Sequence, residues 1–139
     1  MFKISLDISK KELDKINKLG SVMRLGLLKG VKKSMIHAEG QAKKNFGGAG
    51  QLNVRSGHLR RSITSKVIDR GGGREITGVV GSNVVYAAIH EYGGPHPRSK
   101  TGKMMPARPF IGPAFDRSNM IKIKRIIQKE IADEVRRKR

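Results

Sequence analysis

A chain of 139 residues with 37% hydrophobic content fits one small domain with a modest aliphatic core, able to bury roughly two thirds of the surface its unfolded form exposes. Without cysteine it has no disulfide framework and no thiolate metal site, and no apolar run approaches the roughly 20 residues of a membrane helix. Thirty Lys and Arg against eleven Asp and Glu give +19 and direct the chain towards anions, nucleic acid first and acidic protein neighbours second.

The opening residues, FKISLDI, alternate apolar Phe2, Ile4, Leu6 and Ile8 with Lys3, Ser5 and Asp7, the period of a half-buried strand. They lack the apolar central block of a secretory signal, so synthesis and use in a cytoplasm are expected. Ser9–Glu12 then has the form of a capping box. Behind it, Leu13, Ile16, Leu19, Met23, Leu27, Val31, Met35, Ala38, Ala42 and Phe46 recur at steps of three and four, one face of a helix that Gly20 divides into a short and a long piece. Gly47–Gly50 ends it, since glycine supplies a left-handed cap.

A loop runs to about Ser56, and Ser56–Leu59 is expected to form one helical turn. Ser62–Asp69 and Glu75–Ser82 read as two strands joined by a turn at Gly71–Gly73, a hairpin. Val84–Tyr92 reads as a short helix or helical turn over the sheet. All five prolines follow, between Pro95 and Pro113, in a basic stretch expected to form an extended loop at 93–109. The stripe Met120, Ile123, Ile127, Ile131 and Val135 predicts a C-terminal amphipathic helix over 117–138, capped by Ser118 or Asn119. The expected architecture is a single α+β domain over 1–139, a small antiparallel sheet packed with a long N-terminal helix and a C-terminal one.

Several motifs fail as chemistry. Ser99–Lys103 resembles part of a phosphate-binding loop, yet Pro97 stands where its first glycine belongs and Met104 follows Lys103. Gly26 and Gly30 have the spacing of a membrane helix-dimer motif in surroundings too charged for lipid, so close packing of this helix on the sheet is expected. His37, His58, His90 and His96 form no helical ligand pair, and no nucleophile accompanies His90–Glu91, so neither a metal nor a cofactor nor catalysis is expected. Six aromatic residues, mostly at core positions, give little for base stacking.

What remains is a surface for holding another protein. In Pro106–Pro109 the prolines keep the backbone extended, so little entropy is lost on docking. Phe110 and Ile111 are expected to anchor the segment in the core, and Arg108 to pin it by a forked hydrogen bond to carbonyls or a carboxylate, with Glu91 the candidate; the alternative, compatible with docking, is that Pro106–Ala114 simply returns the chain to its own sheet. Interface candidates are Tyr92, Pro95, Pro97, Met104, Met105, Arg108 and Phe110. No acidic residue lies between Glu39 and Asp69. That span and the loop supply the candidates for facing DNA or another anion: Lys43, Lys44, Arg55, Arg60, Arg61, Lys100 and Lys103. A second basic concentration, Arg136–Arg139, suits a helix C-terminus.

Three blocks occur in order: Val54–Ile63 (VRSGHLRRSI), then Val80–Ser82 with Val85–Gly93 (VYAAIHEYG), then Pro106–Ala114 (PARPFIGPA). Together, over about residues 54–115, they resemble the tail-completion, or virion-morphogenesis, family of tailed bacteriophages. The resemblance implies a structural virion protein of the neck or tail end, assembled in the host cytoplasm, and not an enzyme. It implies a homo-oligomeric ring, six- or twelve-fold, around the DNA channel, meeting neck, connector, tail-terminator or tail-tube proteins and touching double-stranded DNA without sequence preference. A small basic nucleic-acid-binding protein is the competing reading of the same charge.

Overall fold

The computed structural model describes residues 2–7, 9–11, 20–48, 52–55, 57–70 and 75–137. The helical run through Leu13, Ile16 and Leu19 and the turn at Gly71–Gly73 lie outside them, as does Glu12 of the expected capping box. In chain order come strand β1 (Phe2–Asp7), helix α1 (Ser21–Lys44), helix α2 (His58–Ser62), strands β2 (Thr64–Arg70) and β3 (Glu75–Ser82), and helix α3 (Ala87–Tyr92). The short strands β4 (Gly94–Pro95) and β5 (Met104–Met105), a 3-10 turn (Gly112–Phe115) and helix α4 (Arg117–Arg137) follow. The class is α+β, as the periodicities predict.

β3 is central in an antiparallel sheet of order β1-β3-β2, with Ile4 opposite Val80 and Val80 opposite Ser65. On its inner face Ile76 and Val80 are fully buried. Gly78 lies between them, and the Met35 thioether of α1 occupies the place its Cβ would take. Two polar contacts fasten α1 to β2: Ser65 Oγ donates to Glu39 at 2.7 Å, and Arg24 pairs with Asp69 at 2.6 Å.

α1 starts directly after Gly20, whose φ is 93°. The stripe Leu27, Val31, Met35, Ala38 and Ala42 is buried. The helix ends at Lys44, two residues short of Phe46. Asn45 closes it with its backbone N–H on the carbonyls of Gln41 and Ala42, and its Nδ2 donates to the Phe110 carbonyl at 2.9 Å. Phe46 instead bridges to Leu52 and tilts against the Phe110 ring, 5.1 Å between centroids.

Gly26 and Gly30 do allow close packing, but the partner is α4, not the sheet. A Cβ on Gly26 would stand 2.7 Å from Ile131 Cα, and one on Gly30 2.8 Å from Ile127 Cα. The two helices run antiparallel at backbone contact. Lys29–Glu134 and Lys33–Glu130 pairs flank the seam at 2.8 and 2.6 Å, and Ser34 Oγ donates to the Ile123 carbonyl. Because the obstruction is backbone, the helices must separate to admit a methyl. Gly30→Ala is expected to lower stability by about 1–3 kcal/mol. Gly40 lies on the same helix with open space around it, so Gly40→Ala should raise stability by about 0.4–1 kcal/mol. Urea midpoints moving in opposite directions would check both.

α2 begins at His58, because Gly57 takes a left-handed φ of 72° and its carbonyl accepts the Arg61 N–H; Ser56, the expected start of that turn, lies outside the described residues. α4 is capped by neither Ser118 nor Asn119. Asp116 Oδ1 accepts the Asn119 N–H at 2.7 Å, the geometry of an N-cap carboxylate, while the Asn119 side chain donates to the Pro113 carbonyl.

Candidate functional site

The proline-rich connection is a folded arm. It leaves α3 at Gly93, where φ is +76° and a Cβ would stand 2.9 Å from the Met105 carbonyl and 3.0 Å from the Ala107 nitrogen. Glycine is therefore required both for the backbone conformation and because the returning limb crosses directly over it. The limbs pair Gly94 with Met105 and Pro95 with Met104, and His96 N–H continues the ladder to the Lys103 carbonyl. At the tip, Ser99 Oγ accepts the Lys103 N–H and the His96 carbonyl accepts the Ser99 N–H. The return limb is tied to α3 by Arg108 N–H on the His90 carbonyl at 2.7 Å.

The root of the arm is a carboxylate buried under backbone amides. Glu91 Oε2 accepts the N–H groups of Phe110 and Ile111 at 2.8 and 3.0 Å. Its Oε1 accepts that of Gly112 at 2.7 Å, and the residue is only 4% exposed. Glu91 thus fastens the segment through main-chain donors, not through the Arg108 guanidinium. Three successive amides opening a 3-10 turn present aligned donors to an anion, and charge-assisted bonds of this kind are the stronger class. Gly112 completes the fit, since a Cβ there would meet Glu91 Oε1 at 2.9 Å. The blocks HEYG and PARPFIG are therefore two halves of one joint.

Phe110 and Ile111 beyond it are fully buried, as expected of anchors. Burial takes Phe110 out of the surface, so it does not serve as an interface side chain in this fold. The other interface candidates stay accessible: Tyr92 and Met104 are each 65% exposed, Pro95, Pro97 and Arg108 are exposed, and Met105 is half-buried. The anion-facing candidates fall into two groups. Lys43, Arg55, Arg60 and Arg61 surround a shallow hollow beside Gly57, where Lys43 is already paired with Glu39. Lys100 and Lys103 are exposed on the arm, and Lys44 is exposed at the end of α1.

Between the Leu52–Arg60 segment, α3 and the arm lies a cleft of about 850 Å³. Arg55, Arg60, Arg98, Arg108, His58, His90 and His96 line it together with Val54, Val85, Tyr86, Ile89, Pro97 and Met105, and among the described residues no acidic side chain does. His58 Nδ1 is 3.3 Å from the Tyr86 hydroxyl, and the Tyr86 and His90 rings meet edge to face. Val85, Tyr86 and Arg98 were not legible as site residues. A valine beside another valine reads as core, yet Val84 turns inward and Val85 is 95% exposed. Among the described residues no three His, Asp or Glu side chains converge as metal ligands, and no helix is long and apolar enough to cross a membrane.

Two groups make stability depend on pH. Burial, and then the Arg108 charge, hold His90 below its ordinary 6.5. Burial pushes the Glu39 carboxyl up, but hydrogen bonds from Lys43 and Ser65 and the Lys43 charge outweigh it and leave it below 4.5. In both cases the unfolded chain binds protons that the folded one refuses, so stability rises with pH through each window. The His90 contribution is complete above 6.5 and lost as pH falls towards the lowered value. That of Glu39 is lost below 4.5. Melting curves of His90→Gln should lack the first decline and keep the second.

The phage virion morphogenesis family model matches residues 32–132, from the middle of α1 through the arm and most of α4. The chain belongs to this family. No curated protein and no solved structure matches it significantly. Membership places the protein among the structural and assembly components of bacteriophage virions.

Proposed function

We propose that the protein is a non-enzymatic subunit that completes the phage neck or tail end, assembling as a homo-oligomeric ring around the DNA channel. The observation that carries this reading is the arm: a β-paired projection rooted by Glu91 in the core and presenting Tyr92, Pro95 and Met104 outward. A pre-formed projection with exposed apolar side chains loses little freedom on docking. Identical copies joined head to tail close into a ring when the rotation permits. A ring also multiplies +19 by its subunit count around a polyanion. Neck, connector, tail-terminator or tail-tube proteins are the neighbours this role requires.

Negative-stain imaging of purified neck complexes, with mass measurement of the isolated assembly, tests the reading. The chain should lie at the head–tail junction in a closed ring, with crosslinks from Lys100 and Lys103 reaching another subunit. A chain found only in unassembled lysate, as a monomer, would sink it. The charge favours one second reading, a non-specific nucleic-acid binder. That reading predicts tight binding of the monomer to free DNA with a salt slope of several units per log of salt, whereas the ring subunit binds weakly until assembled.

A further inference from the structure

The cleft beside the arm combines two properties that a solvated surface seldom combines. Its four guanidinium groups come from separate segments, Arg55 and Arg60 before β2, Arg98 at the arm tip and Arg108 on the return limb, and among the described residues none of them forms an ion pair. Its rim is apolar and uncovered: Val85 is 95% exposed, Val54 44% and Tyr86 40%. Unpaired guanidinium groups call for carboxylates or phosphates, and an exposed aliphatic rim calls for an apolar side chain.

We propose that this cleft is the docking site for an acidic, extended segment of another virion protein, with carboxylates spaced along the Arg rows and a large apolar side chain seated between Val54 and Val85. The proposal rests on the structural-subunit reading above, whose neighbours it characterises chemically. The arm of a second copy is the wrong occupant of this cleft, since it would bring Arg98, Lys100 and Lys103 against the cleft's own arginines, so copies of the chain meet through other faces. Nucleic acid would meet the charge but not the rim. Base binding relies on aromatic platforms. Among the described residues Tyr86 is the one exposed Phe, Tyr or Trp side chain on this cleft, and it already meets His58 and His90. Arg-to-carboxylate forks with aliphatic seats suit a polypeptide.

Fluorescence anisotropy on the full chain at about 150 mM salt decides it. The probe is a labelled peptide alternating Asp and Glu with Leu and Phe. The comparators are the same peptide with Ser for Leu and Phe, and single- and double-stranded DNA of matched charge. The apolar-acidic peptide should bind at least about tenfold more tightly than its Ser counterpart and than either DNA. The Arg60→Glu/Arg108→Glu pair and, separately, Val85→Asp should each weaken it about tenfold. Lys122→Glu/Lys129→Glu, an equal charge change on exposed residues of α4, should leave it within about twofold. Amide shifts on adding the peptide to the unaltered protein, expected at 54–60, 85–90, 96 and 98, do not depend on any variant's folding. Equal binding of the Ser peptide, tighter binding of DNA, equal loss from the α4 reversal, or shifts confined to α4 would each overturn the proposal. None of these outcomes bears on where images place the chain in the particle, so the two readings fail separately.

Discussion

Glu91→Ala is expected to destabilise the protein by about 3–5 kcal/mol, because three amides lose a charged acceptor at once and part of that group is left buried without partners. At this chain length the melting temperature should fall by roughly 10–20 °C. Hydrogen exchange gives the sharper test. The amides of Phe110, Ile111 and Gly112 point at this one side chain, so they should lose protection well before those of β3. Glu91→Gln keeps one carbonyl acceptor but turns an NH2 towards donors, and should fall between wild type and alanine. A Glu91→Ala protein melting within about 2 °C of wild type, too small a shift for a buried triple acceptor, would refute the joint.

Phe110→Ala should cost about 3–5 kcal/mol, the range for truncating a buried aromatic side chain. Phe110 is the largest of the fully buried side chains, and its loss also strips Phe46 of its ring partner, a contact worth about 0.5–1.5 kcal/mol beyond area. Chemical denaturation of Phe110→Ala, Phe46→Ala and the double variant should therefore show losses that do not add. Phe110→Leu, which refills most of the volume, should recover the greater part. Additive losses would mean that the two rings do not support each other, and a Phe110→Ala midpoint equal to wild type would mean that the arm is held by Glu91 alone.

The large elements were readable because burial imposes periodicity. The stripes on α1 and α4 and the alternation in β3 each follow from one face meeting the core. The arm's root was half readable. Phe110 and Ile111 declared themselves as an apolar pair after prolines, but a carboxylate that binds main-chain amides leaves no partner in the sequence. Charge pairing therefore pointed to Arg108, and the fold placed Glu91 beneath residues 110–112 instead. The same reasoning explains the helix glycines. Gly26 and Gly30 announce close approach, while the identity of the approaching element, α4, is a matter of topology. The cleft was least readable, because it is assembled from three segments and its apolar rim residues look like core residues when read singly.

The backbone contact between α1 and α4 has a consequence for biosynthesis. Residues 21–44 are translated well before the helix that covers Gly26 and Gly30. Closure over so long an interval is slow, and until then the small-residue seam of Gly26, Gly30 and Ser34, with Leu27 and Val31 beside it, stands uncovered on a nascent polypeptide, a condition that favours aggregation. Ribosome-bound or prematurely terminated forms lacking residues 117–137 should therefore be clients of chaperones and prone to precipitation, however intact their arm.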